Sequence, residues 1–220
     1  MTHALRFLLP VLLVTALLGG CKSAEKVMFQ PSSVALSSRL PSLEVSVDNG
    51  PLNNSDGAWP DDAQTLFERE VRMNLAEPED TIRFGYARLQ ITEVANNRAG
   101  KALQAFQLMT LMTPALLGVP LEWYRTAVKA EVQIVNSRGK VLGTYAETGE
   151  SSIRVAMYHG YSQTQAPRLA DMEALRQAIA KIKLKVEVDA VRLGSELLTA
   201  GPLEAGKPDV EAAAEASLEE

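Results

Sequence analysis

His159, in Tyr158-His159-Gly160-Tyr161, is the residue best suited to move a proton, and Ser162 and Asp171 follow it closely. A nucleophile, a base and an orienting acid work together only when they converge in space. No Gly-x-Ser-x-Gly turn presents a serine in this chain. The expectation is a hydrogen-bonded histidine in a turn and no catalytic residue. Asp61-Asp62 and Glu79-Asp80 pair carboxylates, which glycosidase chemistry would need to face each other across a cleft. Both pairs fall at helix or strand ends, where capping and solvation account for them. Lys181, Lys183 and Lys185 would line one face of a strand and could then meet anionic head groups. On a helix they spread around the axis, and a solvated face is expected.

The other chemistry-bearing sets are missing. Two histidines and one cysteine leave no zinc ligand set and no intrachain disulfide. There is no glycine-rich phosphate loop. No cofactor and no metal are expected. A net charge of −5 argues against nucleic acid, since binding phosphates needs a positive field. Much of that charge sits at the end of the chain, where Glu204 to Glu220 hold six acids and one lysine.

The single cysteine closes an apolar run. Arg6 precedes a stretch from Phe7 to Gly20 without a charged residue, which has the length and polarity of a secretory signal and is short for a membrane span. The run ends in Leu18-Gly19-Gly20-Cys21, an aliphatic residue and two small residues before cysteine. This resembles the lipobox of bacterial lipoproteins, and the resemblance covers about the first 21 residues. It implies cleavage after Gly20, a diacylglycerol thioether on Cys21 and acylation of the new amine. More than one buried acyl chain would hold the protein firmly in a membrane. Lys22 stands where an aspartate would signal retention in the inner membrane, so the resemblance implies the outer membrane, facing the periplasm.

The segment from Ala102 to Leu121 is 20 residues without a charge. Three readings compete for it. The first is a buried helix over Leu103 to Thr113, followed by a loop through Pro114, Gly118 and Pro120. The second is a surface contact in which Phe106, Leu108, Met109, Leu111, Met112 and Leu116 touch an envelope protein or lipid, the flexible methionines adapting to shape. The third is a transmembrane span. Trp123 and Tyr124 close the segment as the lip of a core or an interfacial pair.

Alternation over Leu40 to Val47 predicts a first strand, with Leu43, Val45 and Val47 on one face. Leu66, Phe67, Val71 and Leu75 make the stripe of a helix over about 63–76, with Arg69 and Glu70 off it. A second strand over about 81–94 changes phase near Ala87-Arg88. A hairpin follows, with strands over about 126–135 and 141–148 joined at Asn136 to Lys140, where Gly139 is free to take positive φ. Ile153 to Tyr158 reads as a further short strand. Leu175, Ile179, Ile182, Val186, Leu193 and Leu197 recur at helical spacing, although Lys181 to Asp189 also alternates.

These elements predict a single α+β domain, a mostly antiparallel sheet with helices packed on one face, in the order β-α-β-(apolar helix)-β-β-α. The expected layout is a signal peptide over 1–20, a lipidated tether over 21–39, the domain over 40–199 and a disordered acidic tail over 200–220. The architecture is similar to small α/β lipoproteins of Gram-negative envelopes. The expected function is non-enzymatic: a binding or assembly module of the cell envelope, or a lipid-binding accessory using the 102–121 segment, with a hydrolase as the remote alternative.

Overall fold

The computed structural model describes residues 28–78, 82–116, 118–156 and 161–203. Cys21, the 79–80 acid pair, His159 and the tail from 204 onward lie outside the described residues, as do the side chain of Leu116 and all of Leu117. The chain forms one α+β domain around a four-stranded sheet in the order β1-β2-β3-β4, with β1 Glu44–Asp48, β2 Gly85–Ala99, β3 Glu122–Asn136 and β4 Val141–Val155. β1 and β2 run parallel, and the other pairs are antiparallel. Parallel neighbours need a crossover, and α1, Asp62–Glu70, supplies it. The expected short strand at 153 is instead the end of β4, which stays paired with β3 as far as Val155.

Sequence periodicity places the core. Ala87, Leu89 and Ile91 of β2 face Val132, Ala130 and their neighbours on β3, and all are buried. The phase break in β2 falls after Ile91, where the register with β3 shifts, and not at Ala87-Arg88. The strand begins only at Gly85, so Ile82 never joins the sheet and stays exposed. In the β3–β4 hairpin the Asn136 carboxamide oxygen accepts the N–H groups of Arg138 and Lys140, and Gly139 takes φ of 78°. That Asx turn fixes the hairpin register.

The last helix, Ala166–Ala200, runs for 35 residues and covers β3 and β4. It is α4 here, after two short helices in the β2–β3 connection. Leu175, Ile179, Ile182, Val186, Leu193 and Leu197 all point into the core, so helical spacing prevails over the local alternation at 181–189. The opposite face of the sheet carries Arg88, Gln90 and Lys129 and faces solvent.

Three differences from expectation lie beside buried charge. The helix predicted over 63–76 changes pitch: α1 ends at Glu70, and Val71–Leu75 form a π-helical turn in which the Ala76 N–H reaches back to the Val71 carbonyl. Glu70, the last residue of α1, lies inside the protein and not off the stripe as expected, since it follows the buried Leu66 by four residues and Phe67 by three. Lys183 is buried opposite it at 2.9 Å and is no part of a solvated lysine face. Asp62 is also buried: its carboxylate takes both arms of Arg168, at 2.7 and 2.8 Å, and the Trp59 N–H at 2.9 Å.

The described part of the expected tether, residues 28–39 of the leader, is docked. Met28 and Leu36 are buried, and the Leu36 N–H bonds the Asn74 carbonyl. Ser32 donates its N–H and hydroxyl to Glu70, and Asn74 donates to the Ser32 carbonyl. Lys183 completes the cluster by donating to Ser32 and to the Val34 carbonyl. Residues 28–39 therefore pack on the body, ahead of the boundary drawn at residue 40. At the other end, Gly201 closes α4 and Leu203 donates to the Arg83 carbonyl, so the start of the expected tail is seated too.

Candidate functional site

The connection from β2 to β3 projects from the end of the sheet as a helical finger. Gly100, at φ of 114°, turns the chain out of β2, and a side chain there would press on the Glu122 backbone. α2, Lys101–Met109, forms the outgoing arm and α3, Thr113–Leu116, the return. Thr110 caps the turn from within, its hydroxyl donating to the Phe106 carbonyl, while the Met112 N–H closes on the Gln107 carbonyl. The base is anchored by polar groups. Gln107 is buried and donates to the Pro120 carbonyl at 2.9 Å, and Arg98 lies 3.3 Å from the buried Glu122 and 4.7 Å over the Tyr124 ring.

The apolar side chains of the finger face outward. Met109 and Leu111 are 85% and 87% exposed, and Phe106 and Leu108 are more than half exposed. Met112 is half-buried, and Ala115 packs inward. A buried helix over 103–113 is therefore not what the chain builds. The reason is topological: α4 and α1 already cover the inner face of the sheet, and the finger extends past its end. Nor, among the described residues, is any helix long and apolar enough to cross a membrane.

The tip is strained as well as exposed. Leu111 and Met112 have φ of 52° and 60°, the left-handed region in which a side chain with a Cβ costs roughly 1–2 kcal/mol. Glycine would serve that turn at lower cost. An exposed leucine there gains nothing from packing, so local stability does not explain its presence.

The finger shares one end of the molecule with the start of the leader. Met28 borders a cleft with Ile153 and Tyr161, and Ile153 pairs with Tyr124, two positions beyond Glu122 at the finger's base.

Of the residues considered for catalysis, Asp171 and Ser162 are each engaged by other groups, and His159 lies outside the described residues. Asp171 is buried, and its carboxylate accepts the Ser55 hydroxyl at 2.6 Å and the Thr126 hydroxyl at 3.1 Å. Ser162 instead bonds Thr164 and the Gln165 N–H at the entrance to α4. Among the described residues no group of three or more His, Cys, Asp or Glu side chains is placed to hold a metal ion. A cleft of about 670 Å³ lies between β1 and α1 and sets Glu44, Glu68 and Glu77 against Arg69, Arg72 and Arg83. Its charges balance, and it holds no activated nucleophile.

Burial pushes the Asp171 carboxyl above its ordinary 3.8, and the two hydroxyls offset only part of that. The folded protein therefore holds this proton more tightly than the unfolded chain does. The resulting contribution is fully present below the ordinary carboxylate range and is lost as pH rises through the raised value. Asp171→Asn keeps one acceptor oxygen for a hydroxyl and offers its amide N–H to the oxygen of the other, without the charge. Its stability relative to the native chain is expected to rise as urea melts move from pH 4 toward neutrality. A difference that stays constant with pH would refute the buried-carboxylate account. Tyr145 is shifted by a similar cause: burial, and then its 2.7 Å bond to Asp189, raise the phenol to about 12.

Sequence reasoning missed the Glu70–Lys183 cluster, although a signal existed. Lys183 follows Ile179 by four residues and Ile182 by one, and Glu70 follows Leu66 by four, so each falls within or beside its helix's buried stripe. Opposite charges at such positions on two helices are candidates for a buried pair.

Comparison of the chain with models of known protein families and with curated proteins returned no match.

Proposed function

We propose that the chain is a lipid-anchored envelope protein, held through Cys21 at the periplasmic face of the outer membrane, and that its finger is a binding surface for an envelope protein. The observation that carries this reading is the finger, uncharged from 102 to 121, which exposes Phe106, Leu108, Met109 and Leu111 at the same end of the domain as Met28. Met28 stands seven residues beyond Cys21, a reach of at most about 25 Å for extended chain. An anchor at Cys21 thus holds the finger's end of the body toward the membrane surface. The proposal assigns the chain no reaction.

A surface contact with lipid is the second reading, favoured by the absence of charge from 102 to 121. A carrier would enclose its cargo, and none of the three clefts bordered by β1, β2 or β4 is lined by the finger.

The test is photo-crosslinking in cells from Leu108 and from Leu111, with the adducts identified by mass. A specific protein adduct is expected. A lipid adduct would replace the protein partner with the bilayer, and internal crosslinks alone, with the fold intact, would overturn the contact surface. Cys21→Ala is expected to release the protein from the membrane fraction or leave the precursor uncut, and unchanged attachment with normal processing would remove the anchor. Leu111→Gly is expected to abolish the adduct formed from position 108 while keeping or raising stability, by up to about 1 kcal/mol. A fall in melting temperature would show that Leu111 packs inward.

A further inference from the structure

α4 has a second apolar stripe, on the face turned away from the sheet. Leu184, Val188, Val191 and Leu198 are all exposed, Val188 to 85%. With the exposed Ser195 they recur at intervals of four, three, four and three residues, the seam spacing of a two-stranded coiled coil. The helix is already held by its buried face, so this seam needs no partner in order to form. The leader runs along one flank, with the Ser37 N–H on the Glu187 carboxylate and Pro41 beside Gly194, and it leaves the ridge uncovered.

We infer that this ridge seats the same ridge of a second copy of the chain, with the two helices parallel. The charges beside the seam select that occupant and that direction. Glu187 flanks the seam on one side and Lys185 and Arg192 on the other. In a parallel pair, a residue at the position of Glu187 meets the flanking residue five places further along the opposite helix, which is Arg192. The two-fold axis repeats the contact, so each copy supplies one acid and one base. Turned antiparallel, the basic flanks would meet each other and set Lys185 against Arg192. Glu187 is held in place by Ser37 and keeps acceptor capacity, since a carboxylate offers about four lone-pair sites. Arg192 has further N–H groups beyond its bonds to Glu196, Asp189 and the Leu142 carbonyl. Gly194 and Thr199 complete the flanks without a like-charge clash. The inference stands apart from the anchor, although two anchors in one bilayer would impose the same parallel orientation.

The test uses the full chain in whole cells under mild oxidation, so that it does not depend on membrane attachment. Val188→Cys places a thiol on the seam, Val141→Cys places one on another exposed apolar residue, and the unaltered chain reports any disulfide through Cys21. A disulfide-linked dimer is expected from Val188→Cys and not from the other two, and adding Val191→Glu is expected to abolish it. Lack of a dimer from Val188→Cys, an equal yield from Val141→Cys, or a disulfide to a different protein would overturn self-association through this ridge. Dimer formation only when Val188→Cys and Val191→Cys chains are mixed would overturn the parallel arrangement.

Discussion

Lys183→Met is expected to lower the unfolding free energy by about 3–5 kcal/mol, measured by urea denaturation at neutral pH. Lys183 and Glu70 are 4% and 2% exposed, and methionine would leave the Glu70 carboxylate buried with only Ser32 for company. An uncompensated charge in the interior costs far more than the pair itself contributes. The double change Glu70→Leu with Lys183→Met is therefore expected to recover most of the loss. The coupling would appear as non-additivity in the cycle. Additive losses would mean that the two residues act separately. Because Ser32, Val34 and Asn74 all bond into this cluster, the single change should also free the leader, read as earlier proteolysis ahead of residue 40.

Gly149→Val is expected to cost about 3 kcal/mol or more, the second large effect, measured in the same way. Gly149 lies on β4 beneath α4, and any Cβ there would fall on the Ala174 carbonyl oxygen and the Ala178 nitrogen. Both obstacles are backbone atoms of a continuous helix, so relief requires lifting α4 off the sheet. The row Ala166, Ala170, Ala174 and Ala178 gives the helix the small side chains that this close approach demands. Gly143 on the same strand provides the contrast. A Cβ there meets the Tyr145 ring, an obstacle that belongs to a side chain, so Gly143→Ala should cost distinctly less. Equal losses at the two positions would show that helix–sheet distance is not the constraint.

The hairpin, the helical character of the last segment and the α+β class were legible because each rests on local rules. Alternation on β3 sets a face, Asn136 and Gly139 set a turn, and a 3.6-residue period sets the core side of α4. Less of the candidate site could be read. The absence of charge from 102 to 121 marks the segment, yet the same composition suits a core helix, an exposed finger or a membrane span. What separates them is whether the apolar face of the sheet is still uncovered when the chain arrives, and that depends on α1 and α4 far away in sequence. The same limit applied to charge. Glu70, Asp62 and Lys183 have the residue types of a surface, and their burial follows from partners that lie 113 residues away for Glu70 and 106 for Asp62.

By itself, then, the sequence determined the strands of the hairpin, the long helix and its buried stripe, the scarcity of histidine and cysteine, and the uncharged character of the 102–121 segment. These are properties of composition and short-range periodicity, which every residue carries in its immediate neighbourhood. Only the tertiary structure decided that Phe106, Leu108, Met109 and Leu111 face outward, that Glu70 and Lys183 face each other, and that a second apolar seam on α4 is left open. The physical reason is that burial is settled by competition among distant elements for a limited interior, and no local pattern records which of them prevails.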